Sequence, residues 1–240
     1  MNFISAIRTL LAREDYDALA LMAREHGGRT AAGLVGLVTD LDETIKWRAV
    51  TALGRTVATL YSQDPERARK VLRQLLWNLN EESGGIGWGM PEAFGEIIAL
   101  TPPLKEEYGY LLVAYLSEKC CFLENDQLVM GVVWALGRIR DLGPELKQQA
   151  LPFLLETLNH PNPTMQGTAA WTLGQLKARE ALPFLKGLRT GPGMIKIFEQ
   201  GCLKEKTIQE WITESIEKIG PGGESDERER LEMQQMRLHP

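Results

Sequence analysis

Apolar positions recur at helical spacing through most of this chain. Residues 164–177, T-M-Q-G-T-A-A-W-T-L-G-Q-L-K, show it best: Ala169, Ala170, Leu173 and Leu176 fall on one side of a helix. The same spacing and the local start and stop signals predict helices over 2–12, 15–25, 30–41 and from Asp42 or Thr44 to about residue 61. Asp15 caps the second and Gly27–Gly28 ends it. Asp64–Pro65 is a start signal, a cap followed by a proline in the first turn, for a helix reaching about residue 79. A glycine-rich loop beginning at Asn80 then leads into a helix that Thr101-Pro102-Pro103 stops. Further helices are expected over 104–119, 125–140, 145–158, 181–188 and 207–219.

The period changes once. Residues 194–198 and 202–206 alternate, with Gln200–Gly201 between them, which reads as a small β-hairpin inserted before the last helix. We expect it to cap the stack; the alternative is an edge strand offered to a partner. Pro221-Gly222-Gly223 ends the folded part, so residues 1–220 form one domain and 221–240 a charged tail.

Every second helix carries a glycine at the same place: Gly54 in T-A-L-G, Gly95 in E-A-F-G, Gly137 in W-A-L-G and Gly174 in W-T-L-G. They are 41, 42 and 37 residues apart. A period near 40 built from helix pairs marks an α-solenoid. The last helix fits with Ile212, Ile216 and Ile219, but Glu217 takes the glycine place, as suits an end unit. The predicted fold is all-α.

With these residues in view, the units resemble HEAT repeats, especially the short bacterial kind named for phycobilisome-lyase proteins. Residues 151–176 carry the resemblance best, and it extends over about residues 30–220. It implies a right-handed α-α superhelix, armadillo-like, whose second helices line the concave surface. The family's usual Val-Arg pair is missing, since the arginine place holds Lys46, Gly87, Val129 and Gln166. The related deoxyhypusine hydroxylases hold iron through His-Glu pairs. None of His26, His160 and His239 precedes a glutamate here. The resemblance therefore carries the fold and not the chemistry, and no cofactor, metal ligand or catalytic residue is expected.

Composition narrows the function classes. Apolar residues make up 44% and charged residues 25%, ordinary for a globular chain. A net charge of −5 disfavours nucleic acid as a bulk partner. No apolar run reaches the roughly 18 residues of a membrane span, and residues 1–13 read as a first helix and not a signal peptide, so a cytoplasmic location is expected. Cys120, Cys121 and Cys202 build no disulfide framework and are expected as buried or semi-buried thiols.

Tryptophan placement gives the one specific pointer to a site. Counting back from the aligned glycine, Trp47 and Trp88 stand seven residues before it, and Trp134 and Trp171 three before it. Positions four apart share a helix face, so the four indoles are expected on one stripe. Arg55, Glu96, Arg138 and Gln175 border it, and Glu92 lies on it. The expected function is a non-enzymatic scaffold binding a protein or peptide along this concave groove, at Trp47, Arg55, Asn80, Glu81, Trp88, Glu92, Glu96, Trp134, Arg138 and Trp171. The competing structural reading packs the indoles between repeats. Trp211 is out of register and assigned to the C-terminal end, and Trp77 to the core.

Two alternatives use other features. A lyase-like or other ligand-handling enzyme would employ the glycine-rich loop at 83–92, with Glu92, Glu96 and Glu81 or Glu82 as a carboxylate cluster. That loop is neither a P-loop nor a dinucleotide fingerprint, and its plain reading is a tight turn between helices. A nucleic-acid-binding solenoid would use Arg48, Arg55 and Arg138.

Overall fold

The computed structural model describes residues 2–79, 87–117 and 120–220. The helices are α1 (Phe3–Ala12), α2 (Tyr16–Leu37), α3 (Glu43–Gln63), α4 (Pro65–Leu79), α5 (Met90–Leu100), α6 (Pro102–Tyr108), α7 (Tyr110–Ala114), α8 (Asp126–Ile139), α9 (Gly143–Thr157), α10 (Pro163–Gln175), α11 (Leu182–Gly187) and α12 (Ile208–Ile219). Strands β1 (Met194–Glu199) and β2 (Cys202–Thr207) stand between α11 and α12.

The polar punctuation of the sequence sets these boundaries. Side chains of Asp15, Asp42, Asn125 and Asn162 accept from free N–H groups in the first turns of α2, α3, α8 and α10. Asp64 does the same ahead of Pro65 in α4. Thr207 and Glu210 form a reciprocal capping box on α12. Two expectations differ. The break expected at Gly27–Gly28 falls at His26 (φ −132°, ψ 33°), where two helices meet in a kink within α2. A Cβ on Gly27 would stand 2.4 Å from Leu60 Cδ2, so the glycine admits α3. The helix expected over 104–119 is broken at Gly109 and ends at Ala114.

Helices α3, α5, α8, α10 and α12 pack side by side, each on the next, as one inner row. The aligned glycines lie in these contacts. A Cβ on Gly95 would meet Ala135 Cβ at 2.3 Å, and one on Gly174 would meet Ser215 Cα at 2.7 Å. One on Gly137 would meet the Trp171 ring at 2.5 Å, and one on Gly54 the Glu96 Cγ at 2.6 Å. The glycine is therefore where each second helix approaches its successor, and this explains the period of the sequence.

Polar ties join the same row. Lys46 of α3 bonds Glu92 of α5 at 2.8 Å. Arg138 of α8 grips both Glu96 oxygens of α5, at 2.5 and 3.1 Å. Thr172 of α10 donates to the Val133 carbonyl of α8 at 2.8 Å. One continuous apolar core runs from Ile7 to Ile219. Trp211 is fully buried in it, as expected for the C-terminal end. Trp77 is not: it is 67% exposed. The core stripe of α4 is Ala68, Leu72, Leu75 and Leu79, and two residues beyond Leu75 turns Trp77 about 200° away.

The hairpin is antiparallel, with Glu199 paired to Cys202 across the Gln200–Gly201 turn. Both turn residues have positive φ, 54° and 84°, the conformation whose twist suits a two-residue hairpin. Its placement is the main departure from expectation. It does not close the end of the stack. β1 folds back over the inner row and lies against α3, α8 and α10.

Candidate binding site on the concave face

Three of the four predicted indoles converge, although they come from helices far apart in sequence. The Trp47 and Trp134 rings lie 4.7 Å apart, and the Trp134 and Trp171 rings stack at 6.3 Å with a 6° tilt. The hairpin then covers them. Phe198 of β1 stacks on Trp47 at 4.6 Å, within 7° of parallel. The Trp134 indole N–H donates to the Phe198 carbonyl at 2.8 Å. Exposure falls to 8% at Trp47 and 3% at both Trp134 and Trp171. The indoles therefore do not form the open floor expected from the sequence. Burying apolar rings under an apolar strand removes them from water, and the Trp134 and Trp171 N–H groups each find an acceptor on that strand.

Gly167 provides the seat for β1. It occupies the place in α10 that Trp47 holds in α3, and a Cβ there would lie 2.0 Å from Ile195 Cδ1. Trp88 is not part of the stack. It precedes α5 in a turn, outside the helical register assumed for it, and lines a separate opening with Leu41, Glu43 and Lys46.

Glu199 locks the hairpin down. Its Oε1 accepts from Trp171 Nε1 (3.1 Å), Gln175 Nε2 (2.8 Å) and Lys218 Nζ (2.8 Å), and its Oε2 from Lys204 Nζ (3.0 Å). Burial by itself raises this carboxyl's pKa. Bonds from Lys218, Lys204 and Trp171 outweigh it and lower the pKa to about 2.

The strand leaves two openings in the hollow. One, of about 340 Å³, lies beside Lys46, Trp47, Gln127, Met130 and the length of β1. The other, of about 390 Å³, lies at the hairpin turn and is lined by Arg55, Glu96, Arg138, Arg140, Glu199 and Gln200, among others. Of the predicted residues, Arg55, Glu96, Trp134, Arg138 and Trp171 line the second, and Trp47, Glu92 and Trp134 line the first. Asn80 and Glu81 lie outside the described residues. Glu92 and Glu96 are buried and each is held by a cation. Among the described residues no group of three His, Cys, Asp or Glu side chains is placed to hold a metal. Cys120, Cys121 and Cys202 are exposed, against expectation. The first two sit in the connection between α7 and α8 and the third at the hairpin turn, outside the apolar stripes that bury side chains.

Helix pairs repeating about every 40 residues, with an inner row sealed at one aligned glycine, match family models in sequence. The HEAT-like repeat matches residues 126–176, and the PBS lyase HEAT-like repeat matches residues 165–188. Residues 126–188 are HEAT-like repeats. The HEAT-like array is also similar to an engineered protein solved as Northeast Structural Genomics Consortium target OR329, at 16% identity and a TM-score of 0.51, covering 93% of this chain and 98% of that one. A designed armadillo repeat protein in complex with peptide (KR)4 is similar at 17% identity and a TM-score of 0.47, covering 91% and 100%. These likenesses concern the fold alone. No curated protein matches the chain in sequence.

Nothing in the sequence marks Arg140 and the residues of β1 as lining these openings. A positive φ (63°) at an arginine leaves no trace in residue type. That β1 would lie in the hollow depends on contacts spanning 28 to 64 residues.

Among the described residues no helix is long and apolar enough to cross a membrane.

Proposed function

We propose that this HEAT-like protein is a non-catalytic scaffold that holds a segment of a partner protein against its concave face, in the openings on either side of the hairpin. One observation carries the reading. The concave face already binds an extended strand of its own chain: rings pack on Phe198, and an indole N–H serves a main-chain carbonyl. These are the contacts by which a groove recognises a peptide. Space remains beside that strand, within the size range of ligand sites. The partner-contacting residues are then the rims, Gln127, Met130 and Lys196 on one side and Arg55, Arg138 and Arg140 on the other. The indoles act as the seat of the hairpin.

Site-specific photo-crosslinking in the host tests this. p-Benzoylphenylalanine in place of Gln127 or Lys196, both exposed, should give one shared adduct partner. The same label in place of Trp77 or Lys70 on α4 should not. Adducts of equal yield at both sets, or at the α4 set alone, would move the binding surface off the concave face.

A further inference from the structure

The opening at the hairpin turn is lined by more cations than carboxylates. Arg55, Arg138 and Arg140 line it, with Glu96 and Glu199 as its carboxylates. Both carboxylates are already satisfied, Glu96 by Arg138 and Glu199 by Lys204 and Lys218. Three cations thus line the opening against two carboxylates that already have cationic partners, in a protein of net charge −5. Among the described residues neither Arg55 nor Arg140 has a carboxylate partner.

The Arg55 guanidinium is held without an anion, and the Arg140 backbone is fixed by its turn. Arg55 lies over the Tyr16 ring at 4.6 Å. Arg140 occupies φ 63°, ψ −51° at the end of α8, and the N–H of Asp141 closes back on the Ile139 carbonyl at 2.7 Å. This is a tight three-residue turn of the strained, positive-φ kind, at a non-glycine residue. A helix end could stop at less cost with glycine. The strained turn here sets an arginine on the wall of a cavity.

We propose that this opening is a subsite for carboxylate side chains, so that the partner segment is an acidic peptide. The inference rests on the scaffold reading above and deepens it. Guanidinium groups match carboxylates in a two-pronged geometry, and a partly enclosed site strengthens the pairing. Nucleic acid fits less well. Single strands are bound on exposed aromatic faces, whereas Trp134 and Trp171 beside this opening are 3% exposed. A net charge of −5 also repels a polyanion at long range.

The test uses the full chain and fluorescein-labelled, C-terminally amidated decaglutamate in an anisotropy titration at low salt. The double variant R55E/R140E should weaken binding by about tenfold or more. The control R67E/K70E makes the same charge change on α4 and should stay within about threefold of the parent. Both should keep the parental helicity. No binding of decaglutamate to the parent, or equal losses in the two double variants, overturns the acidic subsite. An oligodeoxythymidylate of equal length that binds more tightly than the peptide, and loses affinity in R55E/R140E, assigns the opening to phosphate and also overturns it. If the crosslinks at Gln127 and Lys196 persist while decaglutamate fails, the scaffold stands and only the acidic partner falls. If those crosslinks fail too, the scaffold reading falls with it.

Discussion

The indole of Trp134 and the main-chain carbonyl of Phe198 are joined by a 2.8 Å hydrogen bond across 64 residues of sequence. The bond fixes β1 on the inner helix row and turns a stripe of aromatic residues into the bed of a strand. Trp134→Phe keeps most of the ring and removes the donor. The Phe198 carbonyl, buried beneath the hairpin, then has no partner from the indole. A loss of about 1–2 kcal/mol is expected, read as a lower denaturant midpoint with helicity unchanged.

Glu199 makes the hairpin pH-sensitive in one direction. Its carboxyl, near 4.5 when unconstrained, is lowered to about 2 in the fold. The folded state therefore favours the ionised form, and the stabilisation is complete above about pH 4.5. It is lost as pH falls from about 4.5 through 2. Glu199→Gln should be less stable than the parent at pH 7, and the gap should close by about pH 2. Paired urea titrations across that range measure it, and a constant gap would contradict the assignment.

Gly95 faces Ala135 with no room for a methyl group, and the clash involves Ala135 Cα as well as Cβ. Gly95→Ala should destabilise by about 1–3 kcal/mol, despite the roughly 1 kcal/mol that alanine gains over glycine in a helix. Gly187→Ala, where a new Cβ meets nothing within 4 Å, should be near neutral. Thermal melts of the two variants separate close packing from a general effect of losing glycine.

Arg138 is the sole cation bonded to Glu96 among the described residues, and Glu96 is 4% exposed. Arg138→Met leaves a buried carboxylate without its pair. The expected loss is about 3 kcal/mol or more. Combining it with Glu96→Gln should recover much of that loss, because no uncompensated charge then remains. A double-mutant cycle by urea unfolding checks the coupling.

Cys120, Cys121 and Cys202 are exposed thiols. A thiol-reactive chromogenic disulfide should titrate three groups in the native protein without denaturant, and its count reads directly against their burial.

Local signals carried the architecture. Helix periodicity, the caps at Asp15, Asp42, Asn125 and Thr207, and the Gln200–Gly201 turn depend on residues within a few positions of one another, so they are legible in the chain. The four aligned glycines were equally legible, because each marks the same contact in successive repeats. Tertiary structure decided the site. The spacing of Trp47, Trp134 and Trp171 placed them on one face, but whether that face meets water or another part of the chain is set by the path of residues 188–199, which no periodicity encodes. The hairpin settles there because Gly167 leaves room for Ile195, the indoles accept Phe198, and Lys218 and Gln175 converge on Glu199. Those are long-range complementarities of shape and charge. They exist only once the helices have stacked, and the chain order of the residues does not display them.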